Sequence, residues 1–243
     1  MKPNANHLGQ PVGQSVPGWN PPALPERTAM VGNYCTVERL SAEKHAADLF
    51  AANQRDTEGR NWTYLPYGPF ATLDDYRPWV VRAESETNTL FFAIVDKSTS
   101  RASGIASFLR MDPKSGSIEV GHLNFSPLLQ GTRAATEAMF LMMERAFDLG
   151  YRRYEWKCNA LNVPSHRAAL RLGFTFEGIF RQAAVVKGQN RDTAWYSIID
   201  GEWPALRLAF SRWLNPENFD GQGKQRVALT ALTAALAAKS TIA

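Results

Sequence analysis

Between residues 90 and 158 the spacing of apolar residues changes twice, and this change limits the fold more than any other feature. Residues 90–96, 102–111 and 116–125 read as three consecutive strands, with turn residues Asp112, Ser115 and Gly116 making a hairpin of the last two. Ala135, Met139, Met142, Ala146 and Leu149 then recur at steps of four and three, which places one apolar stripe on a helix. Gly150 is suited to end that helix, and residues 152–158 return to strand. Strands joined by a crossover helix run parallel, so the chain predicts a mixed sheet with one parallel pair at its centre.

The flanks extend the pattern to β-α-α-β-β-β-α-β-α-β-β. Residues 33–40 form the first strand, and Ser41 caps a helix running to about residue 53, with Glu43 at its positive end. Lys44 stands where a capping box needs an acid. Residues 62–70 (WTYLPYGPF) predict a shaped aromatic loop. Thr72 caps a helix over 73–82 that Pro78 kinks or shortens. A short helix over 164–172 stops at Gly173, and strands 174–186 and 193–199 are joined through 187–192. This core spans residues 31–200. Residues 1–30 are a proline-rich arm whose Trp19 and Leu24 can bury against the body. Residues 201–243 are a C-terminal helical extension. It holds a helix at 202–213 and an Ala/Leu/Thr-rich stretch at 224–239 that packs on the body, joins an oligomer interface or frays.

Composition excludes several function classes. Hydrophobic residues make up 44% and charged residues 21%, enough for a sizeable core, and no apolar run approaches the ~20 residues of a bilayer span. Two distant cysteines, Cys35 and Cys158, and no secretory leader point to a cytoplasmic protein without a disulfide framework. The four histidines lack ligand spacing, so no metal is expected. The net charge of +4 is scattered rather than bunched, which argues against a nucleic-acid partner and suits a small anionic ligand.

The strand-to-helix junction at 126–137 (SPLLQGTRAATE) carries the most chemistry. Helix-start amides and the helix dipole form an anion site, and small residues let a phosphate approach the backbone. Neither a P-loop nor a dinucleotide-binding glycine pattern is present. Taken alone, the junction is equally an ordinary turn.

Four motifs in order make the reading specific: Glu119-Val120-Gly121, residues 130–138 (QGTRAATEA), residues 162–165 (NVPS) and residues 173–178 (GFTFEG). Together they resemble the GNAT superfamily of N-acetyltransferases, in particular the ribosomal-protein N-terminal acetyltransferase branch, over roughly residues 33–200. The resemblance implies the GNAT α/β fold, with a mixed central sheet and splayed parallel strands flanked by helices. It also implies acetyl-CoA as co-substrate and direct transfer to a primary amine on a small molecule or a peptide N-terminus. The cofactor site would comprise Asn124, Phe125, Ser126, Gln130, Gly131, Thr132, Arg133, Ala134 and Ala135, with Asn162 and Ser165. Arg133 replaces the family's second loop glycine; it either clashes with the cofactor or swings outward to pair with a phosphate.

Glu119 is the candidate base and Ser165 the donor to the leaving thiolate, with Asn162 positioning the pantetheine arm. The competing readings are a strand-face ion pair for Glu119 and helix capping for Asn162 and Ser165. Trp62, Tyr64 and Tyr67 either wall an acceptor pocket or close the core. His122 contacts substrate only if a bulge near Gly121 turns it toward Glu119. Cys158 reads as a buried structural thiol. A CoA-binding module without catalysis, an interaction protein, and a monomer or homodimer all stay open.

Overall fold

The computed structural model describes residues 4–240. Residues 1–3 of the arm and 241–243 of the C-terminal extension lie outside the described residues. In the arm, β1 (Asn4–Ala5) and β2 (Pro11–Val12) form a small antiparallel pair. β3 (Met30–Val31) and β4 (Cys35–Arg39) then open the main sheet. Helices α1 (Ala42–Asn53) and α2 (Leu73–Ser85) follow. After them come β5 (Leu90–Asp96), β6 (Arg101–Asp112) and β7 (Ser117–Phe125). The crossover helix α3 (Arg133–Asp148) leads to β8 (Arg153–Asn159) and α4 (Val163–Arg171). β9 (Thr175–Val186) and β10 (Gln189–Ile199) complete the sheet, and α5 (Trp203–Leu214) and α6 (Leu229–Ser240) close the chain. The sheet order is β3-β4-β5-β6-β7-β8-β10-β9, antiparallel except for the β7–β8 pair.

The two faces of the sheet bury separate cores. One packs Phe92, Phe108, Val120 and Tyr154 under α3 and α5; the other packs Phe91, Ala93 and Ile105 under α1 and α2. Each fully buried Phe, Val or Ile side chain among these contributes roughly 1.5–3 kcal/mol. α5 belongs to the first core, because Trp203 stacks on Phe147 at 4.9 Å and Phe210 on Phe140 at 5.5 Å. α6 adds buried Leu229 and Thr233, so the C-terminal extension packs on the body.

Three expectations need correction. Pro78 does not end α2. A capping box joins Thr72 and Asp75, and Trp79, Val80 and Ala83 bury the later turns, which outweighs the single backbone donor that proline removes. β10 begins at Gln189 rather than 193, because Lys187 and Gly188 both take positive φ and make a two-residue turn. Its polar residues 190–192 read as loop only because this end of the strand leaves the apolar core. In the arm, Trp19 packs over Gly116 beneath Arg152 as expected, whereas Leu24 is exposed.

Candidate active site

β7 and β8 pair from Ser117/Arg153 to Val120/Trp156 and then part. Beyond that point β7 stays paired with β6 and β8 with β10, so a gap opens between them. It widens into a cleft of about 1210 Å³, bounded by the end of β7, the start of α3 and the start of α4. Asn124, Phe125, Gln130, Gly131, Thr132, Arg133, Ala135, Asn162 and Ser165 all line it. Ser126 and Ala134 are buried behind it; the Ser126 carbonyl instead accepts from the Leu129 and Gln130 amides and shapes the turn.

The helix start is only partly free. The Gln130 amide donates to the Ser126 carbonyl (3.0 Å), Thr132 to that of Leu129 (3.2 Å) and Ala135 to Thr132 Oγ1 (3.1 Å). Among the described residues the amides of Gly131, Arg133 and Ala134 meet no protein acceptor. Gly131 takes φ +74°, a conformation that favours glycine, and faces open space. No carboxylate occupies the first turn of α3 to compete with an anion. Deeper in the cleft, Asn124 is 3% exposed with neither its amide nitrogen nor its oxygen paired. Such an orphaned group costs roughly 1–3 kcal/mol unless a ligand or water satisfies it.

Arg133 turns its guanidinium between two rings, 4.9 Å from the Tyr34 centroid and 4.5 Å from that of Phe219. Asn162 caps α4, accepting from the Ser165 amide at 3.2 Å, and Ser165 Oγ accepts from Trp156 Nε1 at 3.0 Å. The serine proton is left to donate. Burial raises the Cys158 thiol, opposed by the Ser165 hydroxyl and by Arg191.

Glu119 lies one residue before the strands part, on the face away from α3. It is 6% exposed. Its Oε2 lies 2.9 Å from Lys157 Nζ, off the line of a well-directed hydrogen bond, and 3.3 Å from Arg110 Nε. Lys157 is equally buried, 3.0 Å from Glu155 Oε2, with its ammonium 3.5 Å from the Trp195 ring centroid. Burial raises the Glu119 carboxyl above its ordinary value, and the cations Lys157 and Arg110 reduce that rise without cancelling it.

The bulge expected near Gly121 is present. Gly121 and Asn124 on β7 face Ser107 and Ile105 on β6, and His122 takes φ +51°. It does not bring His122 to Glu119. The imidazole stacks on Tyr67, with Nδ1 3.1 Å from the Tyr67 hydroxyl, and lies beside Phe91. Burial and then Arg191 hold it below its ordinary value, which favours the neutral ring. The aromatic loop divides. Trp62 belongs to the core, packed on Phe70 and Tyr76. Tyr64 lines the cleft and bonds the Leu161 carbonyl at 3.1 Å, and Tyr67 faces His122. Lys187, at the tip of the β9–β10 hairpin, holds the loop through the Trp62 and Gly68 carbonyls, each at 2.9 Å.

A family model described as an acetyltransferase (GNAT) domain matches residues 36–175. The chain belongs to the GNAT acetyltransferase family. A crystal structure of a GCN5-related N-acetyltransferase from Brucella melitensis is 47% identical, covers 90% of this chain and all of that one, and superposes with a TM-score of 0.88. An uncharacterized N-acetyltransferase p20 from Bacillus licheniformis is 26% identical over 69% of this chain and 96% of its own length. The ribosomal-protein-serine acetyltransferase of Escherichia coli (strain K12) is 31% identical over 101 residues, 41% of this chain and 56% of its own. The branch suggested by the four motifs is therefore represented among the relatives.

Several residues of this acetyltransferase's cleft escape a reading of the sequence. Asn61 bonds the Phe125 carbonyl (3.1 Å) and accepts from Gln130 (2.9 Å). Arg171 donates to Thr136 Oγ1 at 3.1 Å and stacks on Trp213 at 5.1 Å. Trp213, Phe219 and Gln225 bring the C-terminal segment into the wall. Lys157 alone had a legible signal: Arg153, Glu155 and Lys157 alternate with aromatic residues along β8, a charge ladder on one strand face. Among the described residues no helix is long and apolar enough to cross a membrane.

Proposed function

We propose that this acetyltransferase moves an acetyl group from acetyl-CoA directly to a primary amine. The observation that carries the proposal is the cleft between the parting strands, where three free amides at the start of α3 and the unpaired side chain of buried Asn124 await polar partners. A pyrophosphate suits the amides of Gly131, Arg133 and Ala134, and an amide-bearing pantetheine arm suits Asn124 and the free edge of β7. The thioester supplies the acyl group and leaves as a thiol.

The chain's own groups divide the remaining work. Glu119 takes the proton that the acceptor ammonium must lose, directly or through a water, and its raised carboxyl is closer in basicity to that task than an exposed glutamate. Ser165 Oγ already accepts from the Trp156 indole, so its own hydroxyl proton can serve the leaving sulfur. Asn162 fixes Ser165 by capping α4. The acceptor is a small-molecule amine or a peptide N-terminus, reached from the face bearing Tyr67 and His122.

Calorimetric titration with acetyl-CoA and with CoA, followed by thiol release with added amines, tests this. Saturable binding with amine-dependent release is expected. Binding without release to any amine would reduce the protein to a CoA-binding module, and no binding would remove the cofactor assignment.

A further inference from the structure

The acceptor face carries an uncommitted cation. Every carboxylate near it along β7 to β10 has its partners. Glu119 faces Lys157 and Arg110, and Glu155 faces Arg153 at 2.7 Å and Lys157 at 3.0 Å. Glu177 accepts from Arg153 (2.8 Å) and from the Ser197 hydroxyl (2.7 Å). Asp192 accepts from the Gln182 amide (2.7 Å) and from Asn190 (3.0 Å). Arg191 is different. Among the described residues its side chain makes no ion pair, hydrogen bond or ring contact, and its Nε is shielded from solvent.

Its position gives that vacancy a meaning. Arg191 stands two residues before Thr193 on β10, across a shift in the β9–β10 register, and Thr193 leads to Trp195, the ring that receives Lys157. The pairing of Thr193 with Asn159 and the bond from the Ala160 amide to the Asp192 carbonyl (2.9 Å) hold this part of β10 against the splayed end of β8. The charge of Arg191 reaches His122 on β7 and Cys158 on β8, one on each of the parting strands.

Building on the acetyltransferase reading above, we propose that Arg191 binds a carboxylate of the acceptor, making the substrate an amino acid rather than a simple amine or a peptide N-terminus. A guanidinium offers five donors in a planar fork and pairs with a carboxylate in two parallel hydrogen bonds. The same surplus of positive charge disfavours the acceptor's ammonium, which helps it lose its proton, but it repels an acceptor with no anion to offset it. A free amino acid brings that anion. A peptide N-terminus presents a neutral amide in its place.

The test measures thiol release with α-, β- and γ-amino acids, each beside its own amide and the matching alkylamine. The wild-type protein is expected to favour at least one acid over its amide by about tenfold or more in kcat/KM. Arg191→Gln should bring that ratio close to one, chiefly by raising KM for the acid, and Arg191→Lys should keep part of it. Acetyl-CoA affinity, read by calorimetry, should stay unchanged in both variants and so certify the fold. Equal use of acid and amide by the wild type, or an equal loss on both in Arg191→Gln, overturns the assignment of Arg191 and leaves the transferase intact. Acetyl-CoA binding with no transfer to any of the three sets overturns this inference, and no transfer to peptide N-termini either would overturn the transferase reading as well.

Discussion

Glu119 carries two readings drawn from its sequence, catalytic base and strand-face ion pair, and the structure satisfies the second without removing the first. A buried carboxylate beside Lys157 is paired, yet its carboxyl still rises because desolvation outweighs the two cations. With Glu119 as the proposed base, Lys157 would act through it as a positioning residue, a role separable from folding by a pH profile. In Glu119→Gln the rising limb of kcat/KM with pH should vanish along with most of the turnover. In Lys157→Met the limb should persist but move to higher pH, because losing the cation removes an influence that lowers the carboxyl. A limb that stays in place in both variants would assign the proton transfer to another group. The glutamate was legible from its motif. Lys157 stood in a charge ladder along β8, but its pairing with Glu119 was not legible, since the strand register that aligns β8 with β7 is a tertiary fact.

At the scale of elements, α3 does more than cross between two strands. Glu137 on its inner face is 3% exposed and accepts from three backbone amides at the start of β4: Asn33 (2.7 Å), Tyr34 (2.6 Å) and Cys35 (2.8 Å). Gly32 lets the carboxylate come so near that a Cβ there would overlap it. Glu137→Ala strips one buried and two half-buried backbone donors of their acceptor and should cost roughly 3 kcal/mol. In a chain of this size that corresponds to a Tm lower by roughly 6–12 °C. Gly32→Ala should destabilise through the same contact, and Glu137→Gln less than Glu137→Ala because one oxygen remains. An unchanged Tm in Glu137→Ala would mean that water replaces the carboxylate at no cost. The helix itself was legible from its apolar stripe, and Glu137 stood within the motif. Its task was not, because a glutamate on the buried face gives no sign in sequence of which amides it serves. The β9–β10 connection was placed but drawn four residues too long, for a related reason: Lys187-Gly188 makes a two-residue turn only when both residues take positive φ, which their identities permit but do not dictate.

For the whole molecule, the central sheet and its crossover were legible because period and motif agree there, and the helix at 202–213 was placed as α5, whereas the stretch beyond it carries only a weak period and no motif. Its one aromatic, Phe219, gains meaning only where the chain returns to the cleft. Arg133 joins three distant parts: Tyr34 before β4, the first turn of α3, and Phe219 after α5. The Arg133 side chain is accommodated between these two rings. Two variants separate the duties of this clamp. Phe219→Ala removes part of the cleft wall and should weaken acetyl-CoA by about tenfold, or ~1.4 kcal/mol. If the guanidinium also contacts phosphate, Arg133→Ala weakens CoA in the same direction but leaves untouched the use of an acetyl-pantetheine donor, which lacks the nucleotide. Equal losses on both donors would mean that Arg133 acts by holding the cleft in shape, and equal or tighter CoA binding would show that its charge points away from the phosphates altogether.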